Sequence, residues 1–351
     1  MKAVFVTNSL TGGGAERSVN MIVNELYSRN MDVVLVPINK SLNDLVEVLP
    51  PIVAVERILG DGVINTIKSI IRFNTCLRRL NPTHLILNCE LPELLGAFYF
   101  RKVNLICVEH SRIPWKKRTL LGTVVRTILK LRLTKWVSVS PIIKPKIGRK
   151  LVNCTVIENP VMKLTKKTGN ITKNEIRRIL FIGRLSDEKN PLILVDLARD
   201  TKLNITLIGS GSLEYELKNY AMLNSVDIKL PGYQVNPWQE IESGDLLVIP
   251  SKSEGDCLVF LESLHSDIPV LLSDIPDFRK FRLEDRNYCG NYHEYLDRVL
   301  QYQLNSSPLI ISKSHKDRIL KDRSIENIAD KWASYLFLSD DKIESQTRKL
   351  R

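Results

Sequence analysis

The feature that most narrows the fold is an alternation. Short, uniformly apolar runs rich in β-branched residues are each followed by a longer stretch with helical spacing. In the first half the runs are "AVFVTNS", "DVVLVPI", "HLILN", "NLICVEH" and "WVSVSP". Between them lie "GAERSVNMIVNELYSRN", "VINTIKSIIRFNTCLRRLN" and "RTLLGTVVRTILKLRLTK", whose apolar residues recur at three and four positions. Runs apolar on both faces suit parallel strands covered by helices on each side. The rhythm breaks at residues 163–178, which are polar and basic, and restarts with "RILFIGRL", "NITLIGSG", "DIKLPGY", "DLLVIPS" and "PVLLSDI". The pattern predicts an α/β protein of two Rossmann-like, doubly wound domains facing a central cleft. The expected boundaries are 1–165 for the first domain, 166–178 for a linker and 179–330 for the second. Residues 331–351 form a C-terminal helix and tail able to pack back on the first domain.

Charge is divided unevenly between the halves. Residues 1–170 hold 26 Lys/Arg against 11 Asp/Glu, while the remainder holds 25 against 28. No acidic residue lies between Glu109 and Glu158, a gap that contains twelve lysines and arginines. A one-signed field of this kind implies an anionic partner. The six cysteines are scattered without Cys-x-x-Cys or zinc spacing, as expected of reduced thiols in a cytosolic protein. No run approaches the roughly 20 apolar residues of a membrane span. The N-terminus leads straight into a strand, without the pattern of a secretory signal.

The loops that follow the strands carry the chemistry. "LTGGGAERS" places Gly13 and Gly14 at a strand-to-helix turn, where free N–H groups can seat an anion. Arg17 stands where a dinucleotide fingerprint needs its third glycine, so a nicotinamide enzyme is disfavoured. In "FIGRLSDEKN", Arg184 and Lys189 lie just past a strand and suit a diphosphate. Gly209 and Gly211 of "LIGSGSLEYELK" read as a plain tight turn. "LPGYQ" puts Gly232 and Tyr233 in a loop whose backbone is available to a base. "SEGDCLVFLE" begins and ends with Glu254 and Glu262. Glu254 falls in a loop and Glu262 in the second turn of the next helix, so both can border one pocket at that helix's N-terminal end.

These motifs together resemble retaining glycosyltransferases of GT-B fold, family 4. Glu254 and Glu262 match the E-x7-E signature of that family. GGGAER, VEHS, IENPV, GRLSDEKN, GSGSLEYELK, PGY, PSKSEG…LES and IPV follow in the family's order from about residue 8 to 275. The resemblance implies that Arg184 and Lys189 hold a donor diphosphate, that Glu262 accepts hydrogen bonds from the ribose, and that Glu254 contacts the donor sugar. It places Gly13, Gly14, Gly232, Tyr233, Gly255 and Leu258 around the donor and His110 beside the transferring sugar. A catalytic set of Glu254, Arg184, Lys189 and His110 follows, without cofactor or metal. Two departures stand out. Asp256-Cys257 replaces the usual apolar residue and Gly or Pro, and "HSDIPV" lacks the customary glycine.

The expected reaction moves a hexosyl residue from a nucleotide-sugar, a UDP-sugar by expectation, to a lipid-linked oligosaccharide with an α-linkage. Such an acceptor is polyprenyl-diphosphate-linked, as in bacterial O-antigen, capsule or related surface polysaccharide synthesis. The acid-free stretch, through Arg112, Lys116, Lys117, Arg118, Arg126 and Lys130, is the expected contact with that acceptor and with the anionic inner face of the plasma membrane. Residues 118–135 show an apolar arc of Leu120, Leu121, Val124, Val125 and Ile128 with Arg126 and Lys130 opposite. The arc is expected to pack on the sheet and the cations to face lipid. The placement is cytoplasmic and peripheral, with no nucleic-acid partner. The alternatives are a non-hydrolysing nucleotide-sugar epimerase of the same architecture and a basic membrane- or nucleic-acid-binding module.

Overall fold

The computed structural model describes residues 1–10, 13–38, 50–52, 63–112, 114–116, 118–162, 176–305 and 309–348. The chain divides into two compact units, residues 1–161 with 322–351 and residues 162–321.

The first unit contains strands Lys2–Thr7 (β1), Asp32–Pro37 (β2), His84–Asn88 (β3), Asn104–Glu109 (β4) and Lys135–Ser138 (β5). A short antiparallel ribbon of Lys146–Ile147 (β6) and Lys150–Leu151 (β7) precedes Thr155–Val156 (β8). The sheet order is β2-β1-β3-β4-β5-β8, parallel throughout. Helices Gly14–Ser28 (α1), Val63–Leu80 (α2), Glu90–Ala97 (α3) and Thr119–Leu131 (α4) make the crossovers. Strand alternation sorts the core into two layers. Val4 and Val6 of β1 pack with Phe73 and Leu77 of α2, Leu95 of α3 and Leu129 of α4, whereas Ala3 and Phe5 pack with Val19 and Val23 of α1.

In the second unit, strands Arg178–Ile182 (β9), Asn204–Ile208 (β10), Ile228–Gly232 (β11), Asp245–Ile249 (β12), Val270–Ser273 (β13) and Tyr288–Cys289 (β14) lie in the order β11-β10-β9-β12-β13-β14. All pairings are parallel. Helices are Ile193–Thr201 (α5), Glu214–Leu223 (α6), Leu258–Ser263 (α7), Pro276–Arg279 (α8), Tyr292–Asn305 (α9) and Lys313–Asp322 (α10). The last helix, Ile325–Arg348 (α11), belongs to the first unit: Ile328, Ala329, Trp332 and Leu336 join the α1 layer, and Trp332 meets Phe5 edge-on at 5.7 Å.

The expected linker lies outside the described residues up to position 175. Ile176 already packs in the second core and Arg178 opens β9. A boundary at 330 would cut α11; the division falls at Lys321/Asp322 instead, because Ile328, Ala329, Trp332 and Leu336 pack into the α1 layer. Two parallel sheets with this connectivity are the expected doubly wound architecture. Among the described residues, no helix is long and apolar enough to cross a membrane.

Candidate active site

In the second sheet the chain leaves β9 toward β10 but leaves β12 toward β13. The two neighbouring strands therefore send their loops to opposite sides, and a crevice opens at their carboxyl ends. Hydrogen bonds lace these loops together. Gly183 N–H donates to Ile208 O at 2.9 Å, Leu185 N–H to Ser210 O at 3.0 Å, and Gly209 N–H to Gly232 O at 2.9 Å. Across the switch, Lys252 N–H donates to Glu188 O at 2.8 Å. Gly209 is required by this lacing: its φ is +147°, and a Cβ there would stand 1.8 Å from Gly183 O. At Gly211 a Cβ would stand 2.1 Å from Leu185 O. Both glycines serve close backbone approach, in keeping with a plain turn.

The side chains meet where the lacing brings them. Lys189 Nζ donates to Glu254 Oε2 at 2.5 Å, and Ser251 Oγ donates to Glu254 Oε1 at 2.7 Å. Burial works against the Lys189 charge, but Glu254 outweighs it and holds the ammonium above its usual range. Glu254 is buried, so its position is set before any ligand arrives. Glu262 is also buried, and its Oε2 accepts a 2.7 Å hydrogen bond from the indole Nε1–H of buried Trp238. It is therefore not a solvated helix carboxylate. Arg184 is exposed beside this loop and makes no ion pair among the described residues. Gly232, with φ +81°, turns the chain after β11 and leaves Tyr233 half exposed. Gly255 is half-buried and Leu258 opens α7 as a buried residue.

Asp256 and Cys257, the first of the two departures, are accounted for locally. Asp256 is buried and takes a 2.7 Å hydrogen bond from Lys280 Nζ, so the loop is locked by an ion pair. Burial, reinforced by the Glu254 charge, pushes the Cys257 thiol well above its ordinary range and makes it inert.

The first unit has its own switch point, between β1 and β3. Gly13 caps α1, and its N–H already donates to Glu16 Oε2 at 3.1 Å. The anion seat expected at Gly13 and Gly14 is thus partly occupied by the chain's own carboxylate. Asn88, ending β3, donates from Nδ2 to Val6 O at 3.1 Å, which turns its Oδ1 toward His110 Nε2 at 3.3 Å. In that arrangement Nε2 carries the proton.

Arg126 departs from expectation. Its side chain is only 3% exposed and enters the interior instead of facing lipid. Nε and Nη2 donate to the two oxygens of Glu93 at 2.9 and 2.8 Å, and Nη2 lies 2.7 Å from Glu109 Oε2. Trp115 Nε1–H also donates to Glu93, at 2.9 Å. Burial raises both carboxyls, and Glu109, beside Glu93, is pushed up to about 7. The buried face of α4 is Gly122, Val125, Arg126 and Leu129; of the expected apolar arc only Val125 and Ile128 pack on the core, while Leu120, Leu121 and Val124 are exposed. Arg112, Lys116, Arg118 and Lys130 are exposed, and Lys117 lies outside the described residues.

Sequence reasoning missed Trp238, Ser251, Asn88 and the Glu93–Arg126–Glu109 cluster. Trp238, Asn88 and the cluster act through partners distant in the chain, so no spacing announces them, while Ser251 stands only three residues before Glu254.

Residues 163–286 match the family description "Glycosyl transferases group 1". Over that segment the chain is similar to group 1 glycosyltransferases. An uncharacterized glycosyltransferase of Methanocaldococcus jannaschii is 32% identical over 146 residues, which span 40% of this chain and 40% of that relative. A second uncharacterized glycosyltransferase, from Haemophilus influenzae, is 24% identical over 95% of this chain and 98% of its own length. Among solved structures, Anabaena HepE in complex with UDP and glucose superposes with a TM-score of 0.79 at 15% identity, covering 96% of this chain and 99% of that one. That similarity shows a GT-B fold with two Rossmann-like domains.

Proposed function

We propose that the enzyme transfers a hexosyl residue from a UDP-sugar, with retention, to a polyprenyl-diphosphate-linked glycan of bacterial surface polysaccharide synthesis. The observation that carries this reading is the Lys189–Glu254 pair at the switch point of the second sheet, inside the segment matching group 1. Arg184 and Lys189 take the diphosphate, Glu262 the ribose hydroxyls and Glu254 the sugar hydroxyls, with Gly232, Tyr233, Gly255 and Leu258 around them. Gly13, Gly14 and His110 serve the reacting end. UDP as the nucleotide draws support from the HepE complex.

In this reaction the acceptor O–H oxygen bonds to the anomeric carbon on the face the diphosphate leaves. The C1–O bond to phosphate breaks, and the acceptor proton passes to the departing phosphate oxygen. The cations stabilise charge developing there, an effect commonly worth about 3–4 kcal/mol per well-placed group. The acid-free surface of the first unit supports an acceptor held at an anionic membrane.

The test supplies a panel of UDP-sugars with a polyprenyl-diphosphate-linked acceptor and reads the anomeric proton of the product by NMR. An α-linked product is expected. A β-linkage, or isomerised donor released without acceptor, overturns the proposal.

Trp238→Phe probes the ribose role of Glu262. Phenylalanine keeps most of the packing but removes the N–H that holds the buried carboxylate, a charge-assisted bond worth about 1.5–3 kcal/mol. Steady-state kinetics are expected to show donor KM raised at least about tenfold with kcat nearly unchanged.

A further inference from the structure

Three segments of the first unit leave apolar side chains standing in water. Along α2, Ile64, Ile67 and Ile71 share one stripe at helical spacing, and all three are exposed. After α3, Phe100 is 75% exposed. At the end of α4, Leu131 and Leu133 are 80% and 89% exposed.

These segments form one surface. Helix α3 packs against both α2 and α4. Phe98, Phe100 and Arg101 line a groove of about 410 Å³ with Ile71, Asn74 and Arg78 of α2. From the other side, Arg132 at the end of α4 stacks on the Phe100 ring at 5.5 Å and donates to Gly96 O at 2.9 Å. The surround is predominantly of one sign, with Glu90 at the start of α3 the exposed exception among α2, α3 and α4. No Asp or Glu occurs in residues 62–89, 98–108 or 110–157, while Lys68, Arg72, Arg78, Arg101, Lys102 and Lys130 are exposed there.

We propose that the first unit docks on an anionic lipid bilayer through this ridge, with Ile67, Ile71, Phe100, Leu131 and Leu133 entering the interfacial zone and the surrounding cations meeting lipid phosphates. Exposed apolar side chains at helical spacing inside a cationic field are what such an interface recognises. A second copy of the chain is disfavoured as occupant, because the same cationic field would oppose itself across a shared face. The inference deepens the membrane-held acceptor of the proposed function and rests on that reading only for the presence of a membrane. It moves the contact from the basic run around Arg126 to an apolar ridge. No donor-site residue is involved, so the two readings fail separately.

The experiment uses the full chain and vesicles of phosphatidylcholine with or without phosphatidylglycerol. Trp115, Trp136, Trp238 and Trp332 are all buried, so Phe100→Trp adds an exposed reporter. Its emission is expected to shift blue, and to be quenched by brominated acyl chains, only with phosphatidylglycerol vesicles. In flotation, the Ile71→Ser/Phe100→Ser double variant is expected to bind these vesicles at least about tenfold more weakly than wild type. Calorimetric UDP-sugar affinity should stay unchanged. Equal vesicle binding by the double variant, or no emission shift, overturns the proposal. So does a double variant whose only change is a lower oligomeric mass, which would assign the ridge to self-association. If the double variant fails to fold, the Phe100→Trp readout decides alone. Lost UDP-sugar binding in wild type with vesicle binding intact would overturn the donor reading and leave this one standing.

Discussion

Lys189→Ala is expected to lower kcat/KM for sugar transfer by about 10²–10³-fold, among the largest effects of any single substitution in this chain. Two losses combine. The proposed diphosphate loses a cation at the atoms where charge develops. Glu254 loses the 2.5 Å partner that compensates its buried charge and keeps neutral partners, the Ser251 hydroxyl and the Cys257 thiol. A buried carboxylate that has lost its cation is less firmly positioned, so its hold on a sugar hydroxyl weakens as well. Glu254→Gln separates the two losses. It keeps Lys189, so UDP affinity measured by calorimetry should hold while transfer falls. Lys189→Ala should weaken both. Lys189→Arg keeps the charge but replaces a point charge with a planar fork, and partial recovery is expected. A Lys189→Ala enzyme with wild-type UDP affinity and turnover would remove the diphosphate role.

The strands were legible because burial on both faces makes them uniformly apolar. β3, β9 and β12 carry no exposed residue, and each was visible as a compact run. The loop holding Lys189 and Glu254 was legible for a different reason: Lys189, Glu254 and Glu262 sit at fixed offsets from strand ends, and strand order then brings β9 and β12 together. Helix α3 was not legible, since "ELPELLGA" contains Pro and Gly. Pro92 falls in the first turn, where its missing N–H costs nothing, and Gly96 lies against Leu87, where a Cβ would meet Leu87 Cδ1 at 2.4 Å. Trp238 shows the general limit. An indole before a strand reads as core, and only the tertiary fold shows that its N–H holds Glu262. The helical wheel of α4 failed on Arg126 for the same cause. Periodicity assigns a cation to solvent unless its partners are known, and Glu93 and Glu109 come from α3 and the end of β4.

Arg126→Leu is accordingly expected to destabilise the first unit by about 3–5 kcal/mol, the usual cost of removing one partner from a buried ionic cluster. A surface lysine or arginine changed in the same way would shift stability by about 0.5 kcal/mol or less. The guanidinium grips Glu93 through two bonds, reaches Glu109, donates to Lys146 O at 3.1 Å and lies 5.0 Å from the Trp136 ring. Leucine replaces the packing but leaves two carboxyls in an apolar interior. The deficit must depend on pH, and its sign follows from linkage. Glu109 titrates in the fold at about 7, above its ordinary 4.5, so the folded state holds the proton more tightly than the unfolded chain. Its contribution to stability is therefore fully present below about pH 4.5 and is lost as pH rises through 7. Without Arg126, which opposes that rise, both carboxyls move further up and the loss continues to higher pH. Urea unfolding should show a smaller Arg126→Leu deficit at pH 5 than at pH 8. Adding Glu93→Met and Glu109→Met, which removes the stranded charges, should restore much of the stability. A pH-independent deficit, or one below about 1 kcal/mol, would mean that the cluster does not hold the first unit together and that the charge of Arg126 is available to a partner after all.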